Sequence, residues 1–491
     1  MFGLHAPTHR TLLAALVGLL LATAGVLAPA SGASAGAVTG NQASGRAPTE
    51  PTGTPPAPGR HGSSSTPSTV GAVGAPLGAS VTVPQTPVGL SLEYPLMEQY
   101  LGSGACPPPS LDTELQQLGS PPISLAGNSQ DLTAPAGALT TPFPSWDAAT
   151  LYNLPTDFWT QLHCLLETAK DPLTVGINAK IGQLAWAQAI VAGAQSAATN
   201  GLNFSLGNEP DLYFLPDYSS LGKNPPNEEK SANLYLQVAA YLAPAVGTLP
   251  LIGPELANPD HWQHQFPRVV SALKVSTVGV HLYPLSACGN STGVTVARLL
   301  SAAVGDAPAS LAWVVRDARA AGLPPILSEV NSAACGGEAG VSNSPASAVW
   351  AVRFVLSALK TGFQQVRFHA SGGPYDPFVF NGAEIEQRPL AIAMAALNRW
   401  LPVGSTLQTL HTPAGIIATA VSGTPGGATL ICDNETARRG VLKIAVSGPS
   451  AHVQLIGPET AALRTFTLTA THGQAELVLK PNSVAAVLAA G

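Results

Sequence analysis

Val88-Gly89-Leu90-Ser91-Leu92-Glu93 runs directly into Tyr94-Pro95-Leu96-Met97. An apolar run of this length, ending on a carboxylate, reads as a strand buried on both faces. The turn after it separates two architectures. A doubly wound sheet normally places a glycine-rich, phosphate-binding turn after its first strand, whereas here a proline and bulky apolar residues occupy it. Working outward, seven further runs of the same kind follow: Ile123–Gly127, Leu173–Asn178, Asn203–Asn208, Leu249–Pro254, Thr277–Tyr283, Pro325–Glu329 and Gln365–Ala370. Between most of them, Phe158–Lys170, Gly182–Ala198, Glu228–Ala245, Val294–Ala321 and Ser347–Thr361 carry apolar residues at helical spacing. Strand–helix alternation through eight strands predicts an α/β fold, a (β/α)8 TIM barrel over residues 80–398.

Helical spacing stops near Trp400. Ile416–Val421, Ala428–Asp433, Val441–Val446, His452–Ile456, Thr465–Ala470, Gln474–Leu479 and Ser483–Leu488 read as short strands separated by turn residues, which predicts a C-terminal β-sandwich over 399–491. At the other end, the apolar run Leu12–Ala28 precedes the small-residue site Ala33-Ser34-Ala35, the pattern of a cleaved export signal over 1–35. The expected location is therefore secreted or extracytoplasmic, with membrane attachment only if that segment stays uncleaved. Residues 36–79, dominated by Pro, Gly, Ser, Thr and Ala, read as a disordered linker.

Of the 491 residues 45% are hydrophobic, enough for a large core, and only 10% are charged. With 22 Lys and Arg against 28 Asp and Glu, and no basic cluster, a nucleic-acid partner is disfavoured. Five cysteines in an exported chain suggest two disulfides and one odd thiol, the alternative being five small buried side chains. Cys432, in an alternating strand, reads as the free thiol. No zinc-type spacing occurs, so neither metal nor organic cofactor is expected.

Functional side chains of such barrels gather at the C-terminal ends of the strands. Strand four ends Leu206-Gly207-Asn208-Glu209-Pro210 and strand seven ends Ile326-Leu327-Ser328-Glu329-Val330-Asn331. Two carboxylates facing one barrel mouth are what a retaining glycosidase uses, one to protonate the leaving oxygen and one to attack the anomeric carbon. The plainer reading makes each a cap for the helix that follows. In the catalytic reading Asn208 contacts the sugar 2-hydroxyl, Glu209 has a raised pKa and Glu329 begins ionised.

From these residues the chain resembles glycoside hydrolase family 79, the β-glucuronidase and heparanase-like group, over roughly residues 80–491. The resemblance implies a carbohydrate substrate, Glu209 as acid/base and Glu329 as nucleophile. Further matching motifs are Val88–Glu93, Gly127-Asn128-Ser129-Gln130-Asp131, His281-Leu282-Tyr283-Pro284 and Gly372-Gly373-Pro374-Tyr375. They imply Glu93 and Asn128 as sugar-hydroxyl ligands, His281 as a site or core histidine, and Tyr283 beside the nucleophile. Tyr375 and the Gly373 backbone are where the family holds the uronic carboxylate.

Two departures from the family pattern weaken the case for glucuronate: Ser124-Leu125-Ala126-Gly127 replaces the usual Arg-x-Gly-Gly, and no aromatic follows the nucleophile in Asn331-Ser332-Ala333-Ala334-Cys335. A neutral-sugar glycosidase and a non-catalytic carbohydrate-binding protein are the alternatives. Cys288 and Cys335 follow neighbouring strands, so a disulfide at the rim is expected there, with Cys106 and Cys164 as the remaining pair. Trp146 and Trp262 are equally sugar platforms or core residues.

Overall fold

The computed structural model describes residues 69–102, 104–138, 151–169, 171–213, 228–382, 384–423 and 428–488. The expected export signal, the linker as far as residue 68, and Trp146 lie outside them. None of the described helices is long and apolar enough to cross a membrane.

Eight strands close into a barrel in chain order: Val88–Glu93, Ile123–Ala126, Leu173–Ile177, Leu202–Leu206, Leu251–Leu256, Thr277–Leu282, Pro325–Val330 and Val366–Ala370. They are called barrel strands one to eight below. Neighbours are parallel throughout, and strand eight pairs back onto strand one from Val366↔Val88 to Ala370↔Leu92. Their side chains are buried on both faces, inward against one another and outward against helices. Closure brings the C-terminal ends of all eight strands to one mouth.

Two bulges interrupt the ladder around strand six. Gly279 pairs with Pro254 and Val280 with Leu256, so Glu255 has no partner of its own across the pair. On the other side Val280 pairs with Leu327 and His281 with Glu329, which leaves Ser328 as the extra residue. Bulges of this kind re-aim side chains and concentrate near active sites.

The stretch expected as one helix, Val294–Ala321, is instead four short pieces: Val296–Leu299, Ala302–Gly305, the 3-10 turn Ala307–Leu311, and Ala312–Ala320. The Thr295 side chain caps the first by accepting from the Arg298 amide. Ser301 is extended, with ψ 146°, and restarts the chain. Pro308 then removes an amide that a continuous helix would need.

The sandwich is larger than its sequence suggests, because it begins before the barrel. Pro76–Thr82 pairs antiparallel with Thr406–Leu410 at the edge of a seven-stranded sheet. Thr69–Ala72 pairs parallel with Gly440–Ala445 in a three-stranded sheet. Residues 69–79 are thus strand and turn, not linker. Pro76–Thr82 is an almost fully exposed edge strand held by backbone bonds, so it needs no apolar pattern, and its composition resembles a linker's.

The seven-stranded sheet is covered on both sides. Cys432, Ala485 and Val487 face the sandwich core with Leu442, Ile444 and Leu477, while Ile431, Val484 and Ala486 join the barrel's core. Cys432 is buried and unpaired, as read. The helix Pro345–Thr361 lies between barrel and sheet and is buried almost all round, from Ala346 to Leu359. Arg353 projects from it to Asp433: Nε donates at 2.8 and 3.1 Å and Nη2 at 2.8 Å. Arg353 also donates to the carbonyls of Leu300 and Asn434. Both ions are buried, so their attraction must offset a large desolvation cost.

Removing one member leaves the other charge buried and unpaired. Arg353→Met should therefore cost about 3–5 kcal/mol of unfolding free energy in a denaturant titration, and pairing it with Asp433→Leu should recover most of the loss. A double variant as unstable as the single one would show that shape, not charge, is what joins barrel and sheet.

Candidate active site

Strand four ends at Leu206, and Gly207 (φ 80°) and Glu209 (φ 51°) turn the chain sharply across the mouth. The Glu209 amide donates to the Glu255 carbonyl at 2.9 Å, which fixes this turn to strand five. Glu329 lies within strand seven and is 4% exposed. One oxygen of each carboxylate lies within 4.8 Å of the other, so the two share one site, as the pair in a retaining glycosidase does. Tyr283 Oη donates to Glu329 Oε1 at 2.8 Å. Glu329 Oε2 is buried and accepts no hydrogen bond among the described residues. A buried carboxylate oxygen without a donor is expensive unless it has work to do.

Two histidines flank this carboxylate. His281, on strand six, has Nδ1 3.1 Å from Glu209 Oε1 and 3.8 Å from Glu329 Oε1, and Nε2 3.0 Å from Glu255 Oε2. His369, on strand eight, has Nδ1 3.7 Å from Glu329 Oε2 and Nε2 3.4 Å from Glu93 Oε1. Burial would push both imidazoles toward the neutral form, but the surrounding carboxylates outweigh it. His281 is held well above its ordinary pKa, and His369 is raised to about 9. Burial raises Glu209, assisted by the charges of Glu329 and Asp211 and opposed by His281. That is the direction a general acid requires. His281 thus lies against Glu209, Glu255 and Glu329 at the barrel mouth.

Glu93 does less for a sugar than its position suggests. Its oxygens accept from the Asn128 amide at 3.1 Å, the Ser129 amide at 2.7 Å and His369, which leaves about one of its four acceptor positions free. Burial raises its pKa, but His369 and Ser129 more than compensate and hold it below the usual glutamate value. A Cβ at Gly127 (φ 78°) would lie 2.5 Å from His369 and 2.6 Å from Glu93, so only glycine leaves room for this pair. Asn128 Oδ1 accepts from Asn208 Nδ2 at 3.4 Å, which brings these two expected sugar ligands together. Beneath them Asp131 accepts from the amides of Asn208, Ala179 and Lys180 and from Tyr213 Oη. These side chains border a cavity of about 260 Å³ that also touches Lys180 and Leu132.

Tyr375 is buried in the wall, edge-on to His369 with ring centres 6.0 Å apart, and its hydroxyl meets Ser371 Oγ at 3.0 Å. The Gly373 amide does not face a ligand. Together with the amides of Ser371 and Gly372 it donates to Asp376, at 2.8–3.2 Å. A carboxyl group of the chain itself thus takes the Gly373 amide, one of the two groups expected to hold a uronic acid. Trp262 is also no platform: it is buried, donates from Nε1 to Ser231 Oγ at 2.8 Å and packs on Tyr235.

Cys288 and Cys335 are bonded, joining the loops after strands six and seven beside the Ser286↔Ala334 bridge, and Cys106 is bonded to Cys164. Ligand atoms of Glu209, His281 and Glu329 are near enough to suit a cation. However, both His281 nitrogens face carboxylates, and an imidazolium has no lone pair to offer. Glu255, His369 and Asp131 were not singled out from the sequence, although all stand at or just beyond strand ends, the signal that picked out Glu209 and Glu329.

No family model matches the chain, and no curated protein matches it. Solved structures do. It aligns over 85% of its length with the whole of a 4-O-α-L-rhamnosyl-β-D-glucuronidase from Fusarium oxysporum 12S, crystallised as a Rha-GlcA complex, at 18% identity and TM-score 0.64. A GH51 arabinofuranosidase from Xanthomonas axonopodis pv. citri aligns with 84% of this chain and 97% of its own, at 13% identity and TM-score 0.60. A glycoside hydrolase family 30 subfamily 8 xylanase from Clostridium acetobutylicum aligns with 86% of this chain and all of its own, at 14% identity and TM-score 0.54. At these identities the likeness is one of fold: this chain shares the barrel and added β-domain on which these glycoside hydrolases are built.

Proposed function

We propose that the chain is a retaining β-glycoside hydrolase acting outside the cytoplasm. The observation that carries this is the Glu209–Glu329 pair, with one oxygen of the expected nucleophile left without a donor in a buried site. In the first step Glu209 gives its proton to the glycosidic oxygen as Glu329 attacks the anomeric carbon, releasing the aglycone and leaving a glycosyl ester on Glu329. In the second, Glu209, now a carboxylate, takes a proton from water as that water attacks the same carbon and frees Glu329. Tyr283 and the two imidazolium groups lie where they stabilise the Glu329 carboxylate when it leaves.

The finer reading is a β-glucuronidase. It rests on the family 79 motifs and on the likeness to a fold whose neighbours include a glucuronidase. Asp376 favours a second reading, a glycosidase for a neutral sugar, because its carboxyl group already accepts from the amides of Ser371, Gly372 and Gly373. The third reading, a non-catalytic carbohydrate-binding protein on an inactive barrel, is disfavoured by the intact carboxylate pair.

Hydrolysis of p-nitrophenyl β-D-glucuronide, β-D-glucoside and β-D-xyloside by the full chain separates these readings. Turnover of the glucuronide alone supports the first, turnover of a neutral glycoside supports the second, and binding without turnover supports the third. Whichever substrate is cleaved, Glu329→Ala should abolish turnover and Glu209→Gln should lower kcat/KM about 10²–10⁴-fold. Native kcat/KM should fall as pH rises through the raised pKa of Glu209, because the acid form is then lost. That alkaline limb should vanish in Glu209→Gln.

A further inference from the structure

Glu255 is a buried carboxylate that no step above uses. It is the extra residue of the bulge in strand five and has φ 57°. The paired bulge in strand seven supplies Ser328, whose hydroxyl donates to Glu255 Oε2, the oxygen that also meets His281 Nε2 at 3.0 Å. Room for this group is made in strand six: a Cβ on Gly279 would lie 2.6 Å from Glu255 Oε1 and 2.9 Å from Ser328 Oγ. Three consecutive strands thus depart from regular geometry or side-chain size around one carboxylate. Such departures persist only when the surrounding structure fixes them, and they cluster at functional sites.

From this we infer that Glu255 is the positioning residue of the acid/base, holding His281 by Nε2 so that its Nδ1–H stays directed at Glu209. The inference rests on the catalytic reading of Glu209. Of the three carboxylates around His281, Glu209 and Glu329 change their bonding or protonation during turnover, whereas Glu255 meets Nε2 on the other side of the ring and takes part in neither step. It therefore remains a partner of the imidazole throughout, and Nδ1–H is in place to stabilise the Glu209 carboxylate once its proton has passed to the leaving group. The charged and titratable groups facing this pair are Glu209 beyond strand four, Glu329 on strand seven, Arg367 on strand eight and Tyr235 on the helix Glu228–Val246.

The test is NMR titration of histidine-labelled full-length protein without substrate, with the His281 signals assigned by their loss in His281→Gln. Glu255→Gln should lower the His281 titration by about one pH unit or more, and Glu255→Asp should restore part of it. With a cleaved substrate, Glu255→Gln should lower kcat about tenfold or more with little change in KM, and should move the alkaline limb to higher pH, because Glu209 loses a neighbouring cation. Ser328→Ala should shift His281 in the same direction by less, and decides the matter if Glu255→Gln does not fold. An unchanged His281 titration in the folded variants would overturn the inference. Since that readout needs no turnover, it stands apart from failure of the glycosidase reading.

Discussion

Strand eight must find strand one. Until Val366–Ala370 pairs with Val88–Glu93, His369 has no Glu93, and the carboxylates of strands four and seven belong to an open sheet. Closure converts a list of strand ends into a ring in which Glu93, Glu209, Glu255, His281, Glu329 and His369 face a common centre. Parallel pairing ensures that all these ends are C-terminal ends. The disulfide between Cys288 and Cys335 ties two adjacent loops of that rim.

The electrostatics of the mouth follow from its burial. Carboxylates removed from water are stable only with donors or cations nearby, and the site answers with two imidazoles, each in contact with one carboxylate outside the Glu209–Glu329 pair. Glu93 backs His369 and Glu255 backs His281, and Glu329 lies between the rings. The same burial that makes the imidazoles depend on carboxylates raises the pKa of Glu209, the direction that the proposed acid role needs.

Much of this was legible in the residues, for a physical reason. Barrel strands are buried on both faces, so each appears as an apolar run, and the rare charged residues at their ends stand out. Helical periodicity was a weaker guide where Ser301 and Pro308 break the chain. The edge strand Pro76–Thr82 was hidden because an exposed edge is held by backbone bonds, which leave no mark on composition. Glu255 carries the same strand-end signal, but its contact with His281 depends on a bulge, and a bulge depends on the register between strands. Gly373 shows the reverse hazard, since the motif is present but its amide is turned to Asp376, a partner three residues on.

The central claim is double displacement at Glu329 with Glu209 as acid/base. Its most direct test is the anomeric configuration of the first-formed product, followed by ¹H NMR during hydrolysis of whichever aryl β-glycoside the protein cleaves. Two displacements at one carbon restore the starting configuration, so the β-anomer should appear first and the α-anomer only later, by mutarotation. Initial release of the α-anomer would mean direct attack by water and would contradict the account.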